Sequence, residues 1–400
     1  MIERIVRVSN ELIVNAPNIF KRYLIDEIDW NYRLIGVSGA RGSGKTILLL
    51  QEMKRLAKEK KNILYVSLDD IHFTNNTLID FADDFYRNGG KYLFLDEVHK
   101  YTNWSQEIKN IYDTIPNLNI VFTSSSALEI HKGSHDLSRR AIVYNLHGLS
   151  FREYVEFNYK IKLPLLSLDN ILNISTFELG DIHSKIKILP AFKEYLEYGY
   201  YPFFKDVKKR YLKQLSTTVN LVMEVDLPAI HRIDFSSVIK LKKLLSIISL
   251  IVPYTPNIES LAKEVETTRP TLLKYLHFLN KAQIINILNK EGKGMNTMTK
   301  PDKLYLNNTN LSNAFGGVDN VNVGTIRETF FLNQLSVLHK VNFPKNKSDF
   351  IVDGKYSFEV GSRNKTHKQI VDIENSYIVS DDIDYRVNNK IPIWLFGLMY

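Results

Sequence analysis

Gly39-Ala40-Arg41-Gly42-Ser43-Gly44-Lys45-Thr46 reads G-x-x-x-x-G-K-T, the phosphate-binding loop pattern. The apolar run Leu34-Ile35-Gly36-Val37-Ser38 precedes it as a buried strand. Ile47 through Lys60 follows as a helix free of Gly and Pro. In a strand–loop–helix setting the glycines let backbone N–H groups turn inward onto phosphate oxygens. The helix start adds its partial positive charge. Lys45 then reaches the β- and γ-phosphates, and the Thr46 hydroxyl ligates Mg²⁺. The nucleotide-binding set is Gly39, Ala40, Arg41, Gly42, Ser43, Gly44, Lys45 and Thr46.

Outward from this loop the chain alternates strands and helices. Residues 11–27 read as a helix leading into the first strand. Just upstream of that strand, Arg22, Tyr23 and Trp30 either touch a base or simply pack. Ile63 to Leu68 is a second strand, and Leu78 to Arg87 a helix ended by Asn88-Gly89-Gly90. Tyr92-Leu93-Phe94-Leu95-Asp96-Glu97 is an apolar strand that ends in two acids, the Walker B form. Ligands of parallel sheets sit at such carboxyl ends. Asp96 therefore holds Mg²⁺, directly or through water, and Glu97 serves as general base. His99 either positions Glu97 or caps and packs. A helix over 104–113 leads to strand Asn119 to Thr123 and then Ser124-Ser125-Ser126. Ser124 or Ser125 reads as a γ-phosphate sensor, or else as an N-cap. Arg139-Arg140 precede strand 141–146, as a phosphate contact in the same or a neighbouring subunit, or as a solvated pair.

The 400 residues exceed one ordinary core, so two to three domains are expected. Hydrophobic content of 44% and charged content of 24% fit a soluble globular protein. With no cysteine, disulfides, Cys-ligated zinc, iron–sulfur clusters and thiol nucleophiles are excluded. The net charge of +8 permits an acidic partner without requiring one. No signal-peptide layout and no membrane-length apolar run is present, so cytoplasm and no membrane are the expectation.

Leu34 through Thr46, Leu95-Asp96-Glu97-Val98-His99-Lys100 and Phe122-Thr123-Ser124-Ser125-Ser126 together resemble the prokaryotic AAA+-type ATP-binding proteins. These carry a winged-helix segment and a C-terminal restriction-endonuclease-like domain. Leu149-Ser150-Phe151-Arg152-Glu153-Tyr154, Tyr195 to Gly199, Gly324 with Glu328, and Phe358-Glu359-Val360 extend the resemblance over nearly the whole chain. It implies an α/β P-loop ATPase domain over residues 1–150. The family's Gly-Arg corresponds to Arg139-Arg140, so Arg140 alone carries over as a finger or sensor. ATP and Mg²⁺ are the expected cofactors, and a homo-oligomer is compatible with this plan.

Residues 151–250 read as a helical lid, with amphipathic helices over 190–198 and 210–224. Residues 251–306 read as a winged-helix segment: helices 258–265 and 270–281, with wing strands 284–288 and 303–306. If this segment binds double-stranded DNA, Thr267, Arg269, Thr271 and Lys274 face the groove; otherwise it only packs. Residues 307–400 read as the restriction-endonuclease-like α/β domain. A helix over 325–338 carries Glu328, and a hairpin turns at Asp353-Gly354-Lys355. A three-residue loop sets Asp349 opposite Glu359 on one face, whereas a two-residue loop sets them on opposite faces. With Glu328 they form a carboxylate cluster able to hold Mg²⁺. Restriction-type nucleases carry a lysine two residues after the last acid, and here that position is Gly361. Lys365 is a substitute from the next turn; Arg363, which does not readily deprotonate, is a poor one. The reading is an inactive or altered nuclease, with Gln369 in a following helix of unassigned role.

The leading expectation is thus a MgATP-hydrolysing AAA+-like ATPase that drives a conformational change. The alternative is an ATP-switched DNA-binding protein with a degenerate nuclease domain. A purely structural protein is disfavoured because both nucleotide motifs are intact.

Overall fold

A computed structural model of the chain describes residues 2–125, 137, 139–231, 233–292, 300–317, 321–366, 368 and 370–400. Ser126 and Gln369 therefore lie outside the described residues. The chain divides into two compact units. The first comprises Met1–His147 and Val225–Arg232, and the second Gly148–Glu224 and Ile233–Tyr400. Residues 151–224 and 233–250 thus fold within the same unit as everything to the C-terminus, while the short stretch 225–232 folds with the first.

The first unit is a parallel sheet of β1 (Leu34–Gly39), β2 (Ile63–Ser67), β3 (Tyr92–Asp96), β4 (Asn119–Ser125) and β5 (Ile142–Leu146), in spatial order β2-β3-β4-β1-β5. The strands are apolar on both faces, and the pleat sends alternate residues to opposite cores. Leu34, Leu64, Val66, Leu93, Leu95, Ile120 and Phe122 enter one core with helices Leu78–Arg87 and Trp104–Thr114. Ile35, Val37, Tyr65, Phe94 and Val121 enter the other with helix Lys45–Lys58. All five carboxyl ends share one edge, so Gly39, Asp96 and Ser125 meet there although distant in sequence.

The first helix differs from the expectation for 11–27. It spans Ile2–Asn15, and only Leu24–Glu27 is helical again before β1. Pro17 accounts for the stop, because the residue before a proline is pushed out of the helical region.

In the second unit, Ser150 opens helix Phe151–Tyr159 with a capping box, its hydroxyl accepting from the Glu153 N–H while the Glu153 carboxylate accepts from the Ser150 N–H. Tyr195 donates its hydroxyl to Leu149 O at 2.7 Å, and a Cβ on Gly199 would strike the Tyr195 and Tyr154 rings. The motifs at 149–154 and 195–199 are thus internal packing. Helices Ile258–Glu264 and Arg269–Lys281 precede an antiparallel pair, β6 (Ile285–Leu288) and β7 (Lys303–Leu306). Pro270 sits in the first turn of the second helix, where no intrahelical N–H bond is lost.

A mixed sheet completes this unit: β8 (Val341–Asn342), β9 (Phe350–Val352), β10 (Tyr356–Gly361), β11 (Ser376–Ser380) and β12 (Lys390–Pro392), neighbours in chain order. β9 runs antiparallel to β8 and β10, while β10, β11 and β12 run parallel. Helix Val323–Leu335 packs on β10. Among the described residues no helix is long and apolar enough to cross a membrane.

Candidate phosphate-binding site

Gly39 ends β1, and Gly42 and Gly44 turn the loop with φ of 84° and 99°, a left-handed region where a side chain is strained. Gly39 is required for a different reason. A Cβ there would lie 2.4 Å from Leu146 O on the neighbouring strand and 3.0 Å from Ser43 Oγ. Ala40 and Ser43 are buried, Ser43 completely, and the Ser43 hydroxyl has no hydrogen-bond partner. Lys45 opens the helix. Its ammonium folds back onto the loop, donating to Gly39 O at 2.9 Å and Ala40 O at 3.1 Å. Burial holds this lysine below its ordinary pKa, opposed by the charges of Glu97, Asp96 and Asp226.

Thr46 ties the loop to β3: its hydroxyl donates to Asp96 Oδ2 at 2.7 Å. Tyr65 of β2 donates to the same oxygen at 2.8 Å, and Thr123 of β4 donates to Oδ1. Asp96 is therefore held by side chains from three neighbouring elements. Burial beside Asp96 pushes the Tyr65 phenol well above its usual range, so it stays a donor. Glu97 follows in a left-handed conformation, φ 54°, fixed by its N–H donating to Asp96 Oδ1 at 3.1 Å and Thr123 Oγ1 at 3.0 Å. A non-glycine residue held there is strained, and the turn lifts its carboxylate off the strand axis to partial exposure.

His99 lies behind Glu97. Its Nδ1 accepts from the Ser125 N–H at 3.3 Å, which leaves the proton on Nε2, 3.6 Å from Glu97 Oε2. The fully buried Ser124 hydroxyl at the tip of β4 has no partner. Arg22 is buried under the loop, donating to Ser43 O at 2.5 Å and His147 O at 2.7 Å, so it braces the loop backbone. Burial, with the Arg22 charge, holds His147 down at about 4.

Arg140 is the residue expected as a finger or sensor. It precedes β5, at the amino edge of the sheet, one strand length or about 17 Å from the loop edge. There its guanidinium grips Asp113 with Nε at 2.9 Å and Nη2 at 3.0 Å. At the loop edge lie Arg41, whose Nη1 is 3.3 Å from Asp226, and Lys100, 2.8 Å from the same carboxylate. Tyr65, Thr123, Arg22 and Asp226 were not singled out for these roles by sequence reasoning. A hydroxyl inside a buried strand is the one available signal for Tyr65 and Thr123; nothing near Asp226 marks it.

The group Thr46, Asp96, Glu97 and Ser124 fits a metal–triphosphate. A hydroxyl and a carboxylate already touch, the neighbouring acid is free to face solvent, and orphaned hydroxyls line the edge.

In the second unit the hairpin register is Val352↔Tyr356, Ile351↔Ser357 and Phe350↔Phe358, where the ladder ends, and the Asp349 N–H donates to Phe358 O at 2.9 Å. Asp349 Oδ2 accepts from the Val360 N–H at 2.8 Å. Burial, then the charges of Glu328 and Glu359, push its carboxyl up to about 7. Lys303 and the Tyr305 hydroxyl both reach Glu328 Oε2 at 2.7 Å. Lys365 reaches Glu359 Oε1 at 2.5 Å, while Glu359 Oε2 is buried without a partner. The stem of Lys365 lies over Gly361: a Cβ at 361 would meet its Cγ at 2.8 Å. Among the described residues, no group of three or more His, Asp or Glu is arranged to hold a metal ion.

Of the candidate DNA contacts, Arg269 and Lys274 are exposed, and Thr267 and Thr271 are half-buried. The Thr271 hydroxyl is bonded to that of Thr268, the N-cap, at 2.9 Å.

Residues 31–155 match a family model described as an AAA domain, and residues 189–322 match a domain of unknown function, DUF8612. "Uncharacterized protein MJ1637" of Methanocaldococcus jannaschii is 27% identical over 396 residues, covering 90% of this chain and 83% of its own. Among solved structures, AMPPCP-bound DnaA from Aquifex aeolicus aligns at 18% identity and TM-score 0.28, over 69% of this chain and 87% of that one. C. elegans PCH-2 aligns at 20% identity and TM-score 0.24, over 45% and 46%. TM-scores of this size carry no argument. The family match and the five-stranded parallel sheet behind a G-K-T loop make residues 31–155 an AAA-type domain with the P-loop fold.

Proposed function

We propose, from this AAA-type domain, that the chain binds MgATP at the carboxyl edge of the first sheet and hydrolyses the β–γ bond. The observation that carries the reading is the Thr46–Asp96 hydrogen bond, with Glu97 fixed beside it. The loop N–H groups and Lys45 bind and orient the triphosphate. Thr46 and Asp96 would hold Mg²⁺, which supplies charge neutralisation at the β- and γ-oxygens. Glu97 orients the attacking water and accepts its proton, and His99, through Nε2, orients Glu97. Ser124 donates toward the γ-phosphate. Hydrolysis then drives a conformational change. Calorimetric titration with MgATP tests the site: the wild type binds and Lys45→Ala does not. Equal binding by both would reject the loop as the phosphate site.

A second reading, an ATP-switched DNA-binding protein, is favoured by the exposed Arg269 and Lys274 at the start of the second helix of a helix–turn–helix pair. Salt-dependent duplex binding, with and without a non-hydrolysable ATP analogue, tests it. No binding at low salt in either state removes it.

For the C-terminal segment the reading is a restriction-endonuclease-like fold that cleaves DNA poorly or not at all. The mixed sheet and the three-residue hairpin loop support the fold. Gly361 in place of lysine, and two lysine ammoniums already paired with Glu328 and Glu359, support the weak chemistry. Plasmid incubation with Mg²⁺ or Mn²⁺, with and without ATP, tests it. Cleavage lost in both Asp349→Ala and Glu359→Ala would overturn it and make Lys365 the cation to examine.

A further inference from the structure

Asp226 is a carboxylate at the phosphate site that neither nucleotide motif supplies. It ends the π-helical turn Val222–Asp226, between helices Tyr211–Leu221 and Leu227–His231. Such turns are rare and frequent at functional positions. Asp226 is 1% exposed. Its Oδ1 accepts from Lys100 Nζ at 2.8 Å and lies 3.3 Å from Arg41 Nη1; its Oδ2 is 3.4 Å from the same nitrogen; His99 Nε2 is 3.9 Å away. Burial alone would push this carboxyl up, but the His99 ring and the Lys100 ammonium beside it hold it well below the usual carboxylate range. Its charge is also felt by Lys45.

Two cations, one from the phosphate loop and one from the turn after Asp96, therefore converge on a single buried acid. A buried carboxylate is tolerated only while such partners stay. A triphosphate presents more negative charge and more acceptor oxygens to the same cations, in charge-assisted bonds of the same kind. The acid and the nucleotide must then compete for Arg41 and Lys100.

We infer that Asp226 is a positioning residue that serves as the resting counter-ion of the phosphate site. It holds Arg41 and Lys100, exchanges them for phosphate oxygens when MgATP binds, and so couples stretch 225–232 to the nucleotide state. The inference rests on the MgATP reading. Residues 225–232 are continuous on both sides with the second unit, so loosening them gives nucleotide binding a covalent route along the chain.

The test uses the full chain, a non-hydrolysable ATP analogue with Mg²⁺, and two readouts. In Asp226→Asn, which keeps the shape and removes the charge, the analogue binds about five- to tenfold more tightly, the scale of an ordinary coupling between sites. Asp226→Glu, which keeps the charge, stays near wild type. In the wild type, backbone amide exchange over 225–231 speeds up when the analogue binds; in Asp226→Asn it is already fast without it. Unchanged or weaker binding by Asp226→Asn would overturn the inference. So would amide exchange that slows in the wild type, and that measurement decides alone if the variant does not fold. Lys45→Ala separates the two layers: a wild type that binds no better than Lys45→Ala removes the MgATP reading and this inference with it.

Discussion

Replacing Asp349 by Asn should make the second unit more stable at alkaline pH and leave it nearly unchanged at acid pH. The ordinary value for this carboxyl is 3.8, and in the folded chain burial and the neighbouring Glu328 and Glu359 raise it to about 7. Between about pH 4 and about pH 7 the folded chain keeps a proton that the unfolded chain has lost. Unfolding then releases a proton, so stability falls as pH rises through that window and reaches its floor above it. The full displacement sets an upper bound of about 4 kcal/mol, at about 1.4 kcal/mol per pH unit. Solvent screening at the partly exposed carboxyl reduces this to about 1–2 kcal/mol. Asn keeps an oxygen for the Val360 N–H and carries no charge at any pH, so this part of the slope disappears. Urea unfolding at pH 5 and pH 8, followed by the buried Trp394 with Trp30 and Trp104 changed to Phe, measures it. Equal pH slopes in the Asn variant and its parent would refute the reasoning.

Three further outcomes follow from the first unit. Gly39→Ala should abolish MgATP binding in calorimetry, because its Cβ cannot fit 2.4 Å from the Leu146 carbonyl without moving the loop. Tyr65→Phe should cost about 0.5–1.5 kcal/mol of stability, the worth of one buried hydrogen bond, and raise the Mg²⁺ concentration needed for half-maximal hydrolysis, because Asp96 loses a bond that orients it. Arg140→Ala should leave the MgATP dissociation constant of the dilute chain unchanged; a tenfold rise would return its guanidinium to the phosphate.

The loop and Asp96-Glu97 were legible in the sequence because their chemistry is contiguous: glycines bend one backbone turn, and two acids end one strand. The hairpin around Asp353-Gly354-Lys355 was legible too, since turn residues between two apolar runs mark it. Asp226 was not, because it meets Arg41 across 185 residues of chain and no spacing rule links them. Arg140 was singled out by motif alignment, while its pairing with Asp113 is a tertiary fact. Lys365 was named as a substitute, but its lying across the space left by Gly361 is a tertiary fact. Ser43 and Arg22 show the same limit, a brace between a loop and a distant segment.

The central claim is that Glu97, held in its left-handed turn beside Asp96, drives hydrolysis of bound MgATP. Steady-state phosphate release tests it most directly, read together with MgATP affinity in the same preparation. Glu97→Gln should bind MgATP as the wild type does and turn it over about 10²-fold more slowly or worse, the usual weight of a general base. Equal turnover by the wild type and Glu97→Gln would contradict the account.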